Sequence, residues 1–388
     1  MPTVPTTRPL LRLGRLEPDP GLRALQPGSA ASGLVVTATV EVPESVSEQP
    51  YAWEVAWADA VREAGQLGAD EPTAQALATG AGKAPAAGAR VVVAAHGEVL
   101  LSRWLPPGAA TGSVRAGPLP HLLGAAAAAA RRPAHVVVLA DRDSAAIVAH
   151  AADQRPARRF PVGVRPDAPR DPHPGRPPAQ HHGERHLTGP EPESGGERNA
   201  EFTAARVSEA AASVGAHILL GAGDQHILDA VSRHLPSSLG PVVTIASGAG
   251  PEDGDDGLSA EIASALDEIT AEAIAAVADL VASSAAGPEP GAVRGVEAVA
   301  EQLAEQQVAV LLVAADIARD AAGSGYRIGS RPTEFLVGDS STGTEVPLED
   351  GLVWAALHQD AIVVQLPDRT GPLAGEPAAA LLRRGAAS

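Results

Sequence analysis

The chain contains no cysteine, which excludes disulfide frameworks, thiolate zinc sites, cysteine-ligated iron–sulfur clusters and cysteine nucleophiles together. Aromatic residues are nearly as scarce, with four Trp, three Phe and two Tyr. Stacking platforms of the kind single-strand binders use need more of them. Lysine occurs once, at Lys83, so nearly all positive charge is guanidinium, the form suited to bidentate phosphate contacts. A GC-rich coding sequence produces the same bias. No apolar run reaches about 18 residues, and the alanine stretch Ala125 to Ala130 is too short and too weakly apolar to span a bilayer. Met1 to Leu13 lacks a compact apolar segment followed by a small-residue cleavage site. A cytoplasmic protein without a membrane partner is expected.

What is present fits a globular protein of several domains. A length of 388 residues predicts two or three domains. Hydrophobic residues at 45% and charged residues at 20% are close to the globular average. The 35 Pro and 40 Gly point to long irregular connections. The net charge of −18 repels nucleic acid unless positive charge is concentrated somewhere.

Composition shifts place three domains at 1–84, 85–250 and 257–388, all of α/β character. The first holds a strand from Leu34 to Val40 and a helix in which Trp53, Trp57 and Val61 share a face, followed by a Gly/Ala linker from Thr79 to Ala89. The second opens with a hairpin over Val91–Leu101 around Gly97-Glu98. A helix from His121 to Arg132 and strands at His135–Ala140 and Ala145–Ala149 follow, in the order β-β-α-β-β. A proline-rich loop then covers 155–196, where a long helix or a central strand is forbidden. A helix from Asn199 to Val214 carries an apolar stripe through Phe202, Ala205 and Ala212. Strand and helix alternate after it. In the third domain, helices at Leu258–Ser283, Val293–Gln306, Leu348–Gln359 and Glu376–Arg384 flank strands at Val308–Ala314, Phe335–Val337 and Ala361–Leu366, a three-layer α/β/α unit.

Little here builds an active site. Gly221-Ala222-Gly223 reads as a tight turn, because it lacks the third glycine of a dinucleotide fingerprint and the chain has no Walker lysine. His173, His181, His182 and His186 cluster in the proline-rich loop, but nothing there fixes them in a metal's tetrahedron. Asp141-Arg142-Asp143 reads as a solvated turn, and the Glu252–Asp256 tract as a solvated linker. Neither Gly-x-Ser-x-Gly nor His-Glu-x-x-His occurs. No cofactor, no metal site and no catalytic residue is expected.

The order of parts says more than any motif. Pro118-Leu119-Pro120-His121-Leu122-Leu123, then His135-Val136-Val137-Val138-Leu139-Ala140-Asp141-Arg142, a long loop, an alanine-rich helix and His217-Ile218-Leu219-Leu220-Gly221 resemble the middle domain of the bacterial branch of the archaeo-eukaryotic peptide-chain release factor family, which includes Pelota and the hibernation factor Balon. The likeness is strongest to its actinobacterial members. Val296 to Ala314, Asp350-Gly351-Leu352-Val353-Trp354-Ala355-Ala356 and Ala361-Ile362-Val363-Val364 are similar to the family's third domain, so coverage runs from about Arg90 to Arg384. The resemblance implies a ribonuclease H-like middle domain and a third domain resembling the kink-turn-binding ribosomal proteins. It also implies entry into the ribosomal A site, contact with rRNA, and a translational GTPase such as elongation factor Tu as a partner.

True release factors carry Gly-Gly-Gln at the tip of the middle-domain loop. The nearest match here is Gly195-Gly196-Glu197. Glu197 fits an acidic first turn of the following helix. The less favoured alternative is a degenerate tip, where its charge opposes the stabilisation of a developing oxyanion. Neither Asn-Ile-Lys-Ser nor Tyr-x-Cys-x-x-x-Phe is found, so stop-codon reading is not supported. The expected function is a non-catalytic ribosome-binding factor that occupies the A site in hibernation or stress. In that role Arg158, Arg159, Arg165, Arg170, Arg176 and Arg185 contact rRNA phosphate or stacked bases. The alternatives are a peptidyl-tRNA hydrolase with a degenerate Gly-Gly-Glu loop and a protein-interaction scaffold without RNA contact.

Overall fold

The computed structural model describes residues 22, 25, 34–42, 51–83, 88–106, 112–141, 144–152, 157–162, 194–247, 256–284, 291–318, 325–338 and 342–383. The chain divides into two compact units. One comprises Met1–Pro133, Ala152–Arg155 and Leu266–Ser388; the other comprises Ala134–Ala151 and Pro156–Ala265.

In the first unit, β1 (Val35–Glu41) is followed by helices α1 (Ala52–Gln66) and α2 (Glu71–Gly80) and by β2 (Ala89–Ala95), β3 (Glu98–Leu105) and β4 (Ser113–Gly117). The four strands make an antiparallel sheet in the order β3-β2-β1-β4. Successive side chains alternate between its faces. Val36, Ala38, Val40, Val92 and Ala94 meet Trp53, Trp57, Ala60, Ala64, Ala76 and Leu77 of the two helices. Val35, Val91, Val93 and Ala95 face a second core. Burial on both faces explains the unbroken apolar run of β2. It also moves the division expected at residue 84: β1 pairs with β2 from Val36↔Ala94 to Glu41↔Ala89, so the hairpin at 89–105 belongs to the N-terminal sheet. The β-β-α-β-β order is not one sheet. Helix α3 (Leu123–Ala130) completes this part and is buried along its length.

The second unit holds β5 (His135–Ala140), β6 (Ala145–His150), β7 (Arg158–Val162), α4 (Ser194–Val214), β8 (Ile218–Gly223), α5 (Gln225–His234) and β9 (Val243–Ser247). The sheet order is β7-β6-β5-β8-β9. β6 runs antiparallel to both β7 and β5, and β8 runs parallel to β5 and to β9. Three sequence readings change here. The proline-rich loop begins later than residue 155, because β7 forms with Pro161 on an outer strand, where a missing N–H is tolerated. Gly221–Gly223 is the end of β8 rather than a turn. A Cβ on Gly221 would lie 2.5 Å from Val242 Cγ1 and 3.0 Å from both Leu228 methyls, so glycine admits close packing there. Phe202 is 54% exposed; the buried stripe of α4 is Ala200, Thr203, Ala204, Val207, Ala210 and Ala211.

The remaining elements are α6 (Ser259–Ser284), β10 (Ala292–Arg294), α7 (Val296–Ala304), β11 (Val308–Ala314), β12 (Tyr326–Ile328), β13 (Phe335–Val337), β14 (Thr344–Glu345), α8 (Leu348–Leu357), β15 (Ile362–Leu366) and β16 (Ala378–Leu382). One sheet runs β10-β16-β11-β15 and a small one β13-β12-β14. Val310, Leu312 and Ala314 of β11 pack with Ala273, Val277 and Val281 of α6. The alternate residues Leu311 and Val313 join a core with Val299 and Leu303 of α7 and Leu352 and Val353 of α8. The same core takes in the second face of the N-terminal sheet. Two expected helices are altered. The segment at 376–384 is mostly β16, and 292–294 pair with it before α7 begins.

Candidate functional site

Of the arginines proposed to contact RNA, Arg158 and Arg159 are described. Both are exposed on β7, opposite Ala149 and Val148 of β6. Neighbouring residues of a strand point to opposite faces, so the two guanidinium groups flank the sheet margin from either side. Arg165, Arg170, Arg176 and Arg185 lie outside the described residues. So do His173, His181, His182 and His186. Gly195, Gly196 and Glu197 fall in the first turn of α4, which begins at Ser194. Asp141 closes the β5–β6 hairpin, its Oδ1 accepting from Ser144 N at 2.6 Å and Ser144 Oγ at 3.1 Å. Arg142, Asp143 and the tract from Glu252 to Asp255 lie outside the described residues, and Asp256 opens a single 3-10 turn.

The structure brings together a polar cluster that the sequence does not announce. Pro118 to Leu122 connects β4 to α3, and the His121 amide donates to Thr37 Oγ1 of β1 at 3.0 Å. That bond fixes the backbone where the imidazole enters the core. Glu349 and Asp350 occupy the first turn of α8, where the helix dipole favours negative charge. His121 Nδ1 donates to Asp350 Oδ1 at 2.7 Å and lies 3.6 Å from Glu349 Oε1. Arg115 Nη1 of β4 approaches the same Glu349 oxygen at 3.3 Å from a side chain that is half exposed. Glu349 and Asp350 are themselves buried, at 5% and 6% exposure.

Burial holds the Glu349 carboxyl above the ordinary carboxylate range, and the negative charge of Asp350 adds to this. His121 and Arg115 offset part of the effect. For His121, burial by itself disfavours the cation. The hydrogen bond and charge of Asp350, with the charge of Glu349, outweigh burial, and the imidazole is held above its usual value. One imidazole thus faces two buried carboxyl groups, and a half-exposed guanidinium reaches one of them. Asp350 and His121 stand 229 positions apart, a separation no spacing motif reveals. The only local signals are an acid pair opening an apolar helix and a histidine after Pro-Leu-Pro.

Residues 134–286 match bacterial archaeo-eukaryotic release factor family 2. The resemblance read from the sequence agrees with this match, since the stretch contains the runs His135–Ala140 and His217–Leu220 that carry it. Among solved structures, Pelota from Archaeoglobus fulgidus is 16% identical, with 65% of each chain covered and a TM-score of 0.31. A ribosome-bound archaeal Pelota is 13% identical over 93% of this chain and 94% of that one, with a TM-score of 0.39. The archaeal translation termination factor aRF1 is 13% identical over 90% and 92%, with a TM-score of 0.21. The chain spans 65% of the length of the Archaeoglobus protein. No curated protein matches it.

Proposed function

We propose that this chain, whose residues 134–286 match bacterial archaeo-eukaryotic release factor family 2, is a non-catalytic ribosome-binding factor that occupies the A site in hibernation or stress. The observation that carries the reading is a mismatch inside that match. Where a release factor needs Gly-Gly-Gln, this chain has Gly195-Gly196-Glu197, at the start of a helix. A carboxylate next to a developing oxyanion raises the barrier that a preorganised donor lowers. Binding without hydrolysis is what remains of the family's chemistry.

Several features support the finer parts of this reading. The strand order β7-β6-β5-β8-β9, with three antiparallel strands followed by two parallel ones, supports a ribonuclease H-like middle domain. The sheet β10-β16-β11-β15 with helices on both faces supports a third domain of the kink-turn-binding type. Contact with rRNA is assigned to Arg158, Arg159, Arg165, Arg170, Arg176 and Arg185. Guanidinium groups give paired hydrogen bonds to phosphate, and proline-rich backbone loses less entropy on ordering than a Gly/Ser chain. A translational GTPase such as elongation factor Tu is the proposed protein partner. The proposed compartment is the cytoplasm; no helix among the described residues is long and apolar enough to cross a membrane.

The test is co-sedimentation with ribosomes from starved cells on sucrose gradients, alongside release of labelled peptide from programmed ribosomes. Association at low salt without peptide release is expected. Release by the wild type that disappears in Glu197→Ala would establish the hydrolase instead. Absence from the ribosomal fractions would leave a scaffold without RNA contact.

A further inference from the structure

We propose that His121, Glu349 and Asp350 form a divalent-cation site. The inference is independent of ribosome binding and concerns the unit of residues 1–133, 152–155 and 266–388. One imidazole nitrogen and two carboxylate oxygens lie within 4.8 Å of one another. A metal with bonds of about 2.0–2.2 Å sets its ligand atoms roughly 3–3.6 Å apart. The His121–Glu349 separation of 3.6 Å is already at that spacing. The His121–Asp350 contact of 2.7 Å is shorter because a proton occupies it. A cation at Nδ1 needs that nitrogen free of its proton, and the contact then widens to metal-bridged distance.

The case for a cation rests on Glu349. Its carboxylate is buried, yet among the described residues no hydrogen bond reaches it. Its partners are two ion pairs, at 3.3 Å from Arg115 and 3.6 Å from His121. A buried carboxylate without hydrogen bonds is held at a cost that a second charge of +2 removes. The donor set is one nitrogen and two oxygens, which suits Mn, Fe(II) or Zn rather than a soft metal. The ligands are also well anchored, with His121 fixed through Thr37 Oγ1 and the acids fixed by the first helical turn of α8. Arg115 is the competitor. Its guanidinium takes the Glu349 oxygen from a half-exposed position and can withdraw to solvent when a cation arrives.

Mn2+ is the discriminating probe, because histidines without carboxylates hold it least among the common transition metals. Titration of the full chain, followed by loss of the free-ion electron paramagnetic resonance signal, is expected to show one saturable site. Asp350→Asn and His121→Asn are expected to weaken that site tenfold or more. Arg115→Gln is expected to tighten it several-fold by removing the competing cation. No saturable binding by the wild type would overturn the proposal, as would unchanged affinity in folded Asp350→Asn. If Asp350→Asn does not fold, Arg115→Gln decides alone, and affinity no tighter than wild type overturns the assignment.

Discussion

Gly351 has no room for a side chain. A Cβ there would lie 2.4 Å from Phe335 Cε2, 2.7 Å from Phe335 Cδ2 and 2.9 Å from Val346 Cγ2. The aromatic ring is itself 2% exposed and cannot retreat into solvent. Gly351→Ala is therefore an overpacking change, expected to cost about 1–3 kcal/mol, read as a lower midpoint in thermal unfolding. It also acts one residue beyond Asp350, so it is expected to loosen the His121 hydrogen bond. Asp70 illustrates a different single-residue effect. Its Oδ1 caps α2 by accepting from Thr73 N at 2.9 Å, and the hydrogen bonds from Thr73 hold its carboxyl below the ordinary 3.8. A carboxyl lowered in the folded state stabilises above its unfolded value and loses that contribution as pH falls through the folded one. Asp70→Ala is expected to lower stability at neutral pH and to narrow the gap from wild type as pH drops below the ordinary value.

At the scale of elements, β16 shows where pattern and fold part. Glu376–Arg384 reads as a helix because Ala and Leu lead the helix propensities. Yet Ala378 to Leu382 are all buried, and the strand pairs on one side with β10 and on the other with β11. Burial on both faces removes the polar–apolar alternation that marks a half-exposed strand. Alanine then fits because the neighbouring layers leave little space. Helix α4 departs in the other direction. The apolar character of Phe202 points it inward on a pattern reading, but the inward positions are the small ones. Phe202→Ser is expected to change stability by less than about 0.5 kcal/mol, whereas Leu311→Ala, at a fully buried position of β11, is expected to cost about 2–5 kcal/mol. Paired denaturant titrations check the contrast. Strands with short runs of large apolar residues, such as Val136–Val138 and Ile218–Leu220, are legible in the sequence. The His121–Glu349–Asp350 cluster is not, since only tertiary packing brings β4, α3 and α8 together.

At the scale of the whole molecule, charge decides where the proposed ribosome contact can form. A chain of net charge −18 approaches a polyanion only where positive groups are gathered, and the candidate gathering is the six arginines from Arg158 to Arg185. The most direct measurement is ribosome affinity across a salt series for the wild type and for a variant with those six arginines changed to serine. Weaker binding by the variant is expected, with the log–log salt slope flattened by roughly 0.7–0.9 for each phosphate that is no longer neutralised. Equal affinity and equal slope in the two proteins would contradict the account.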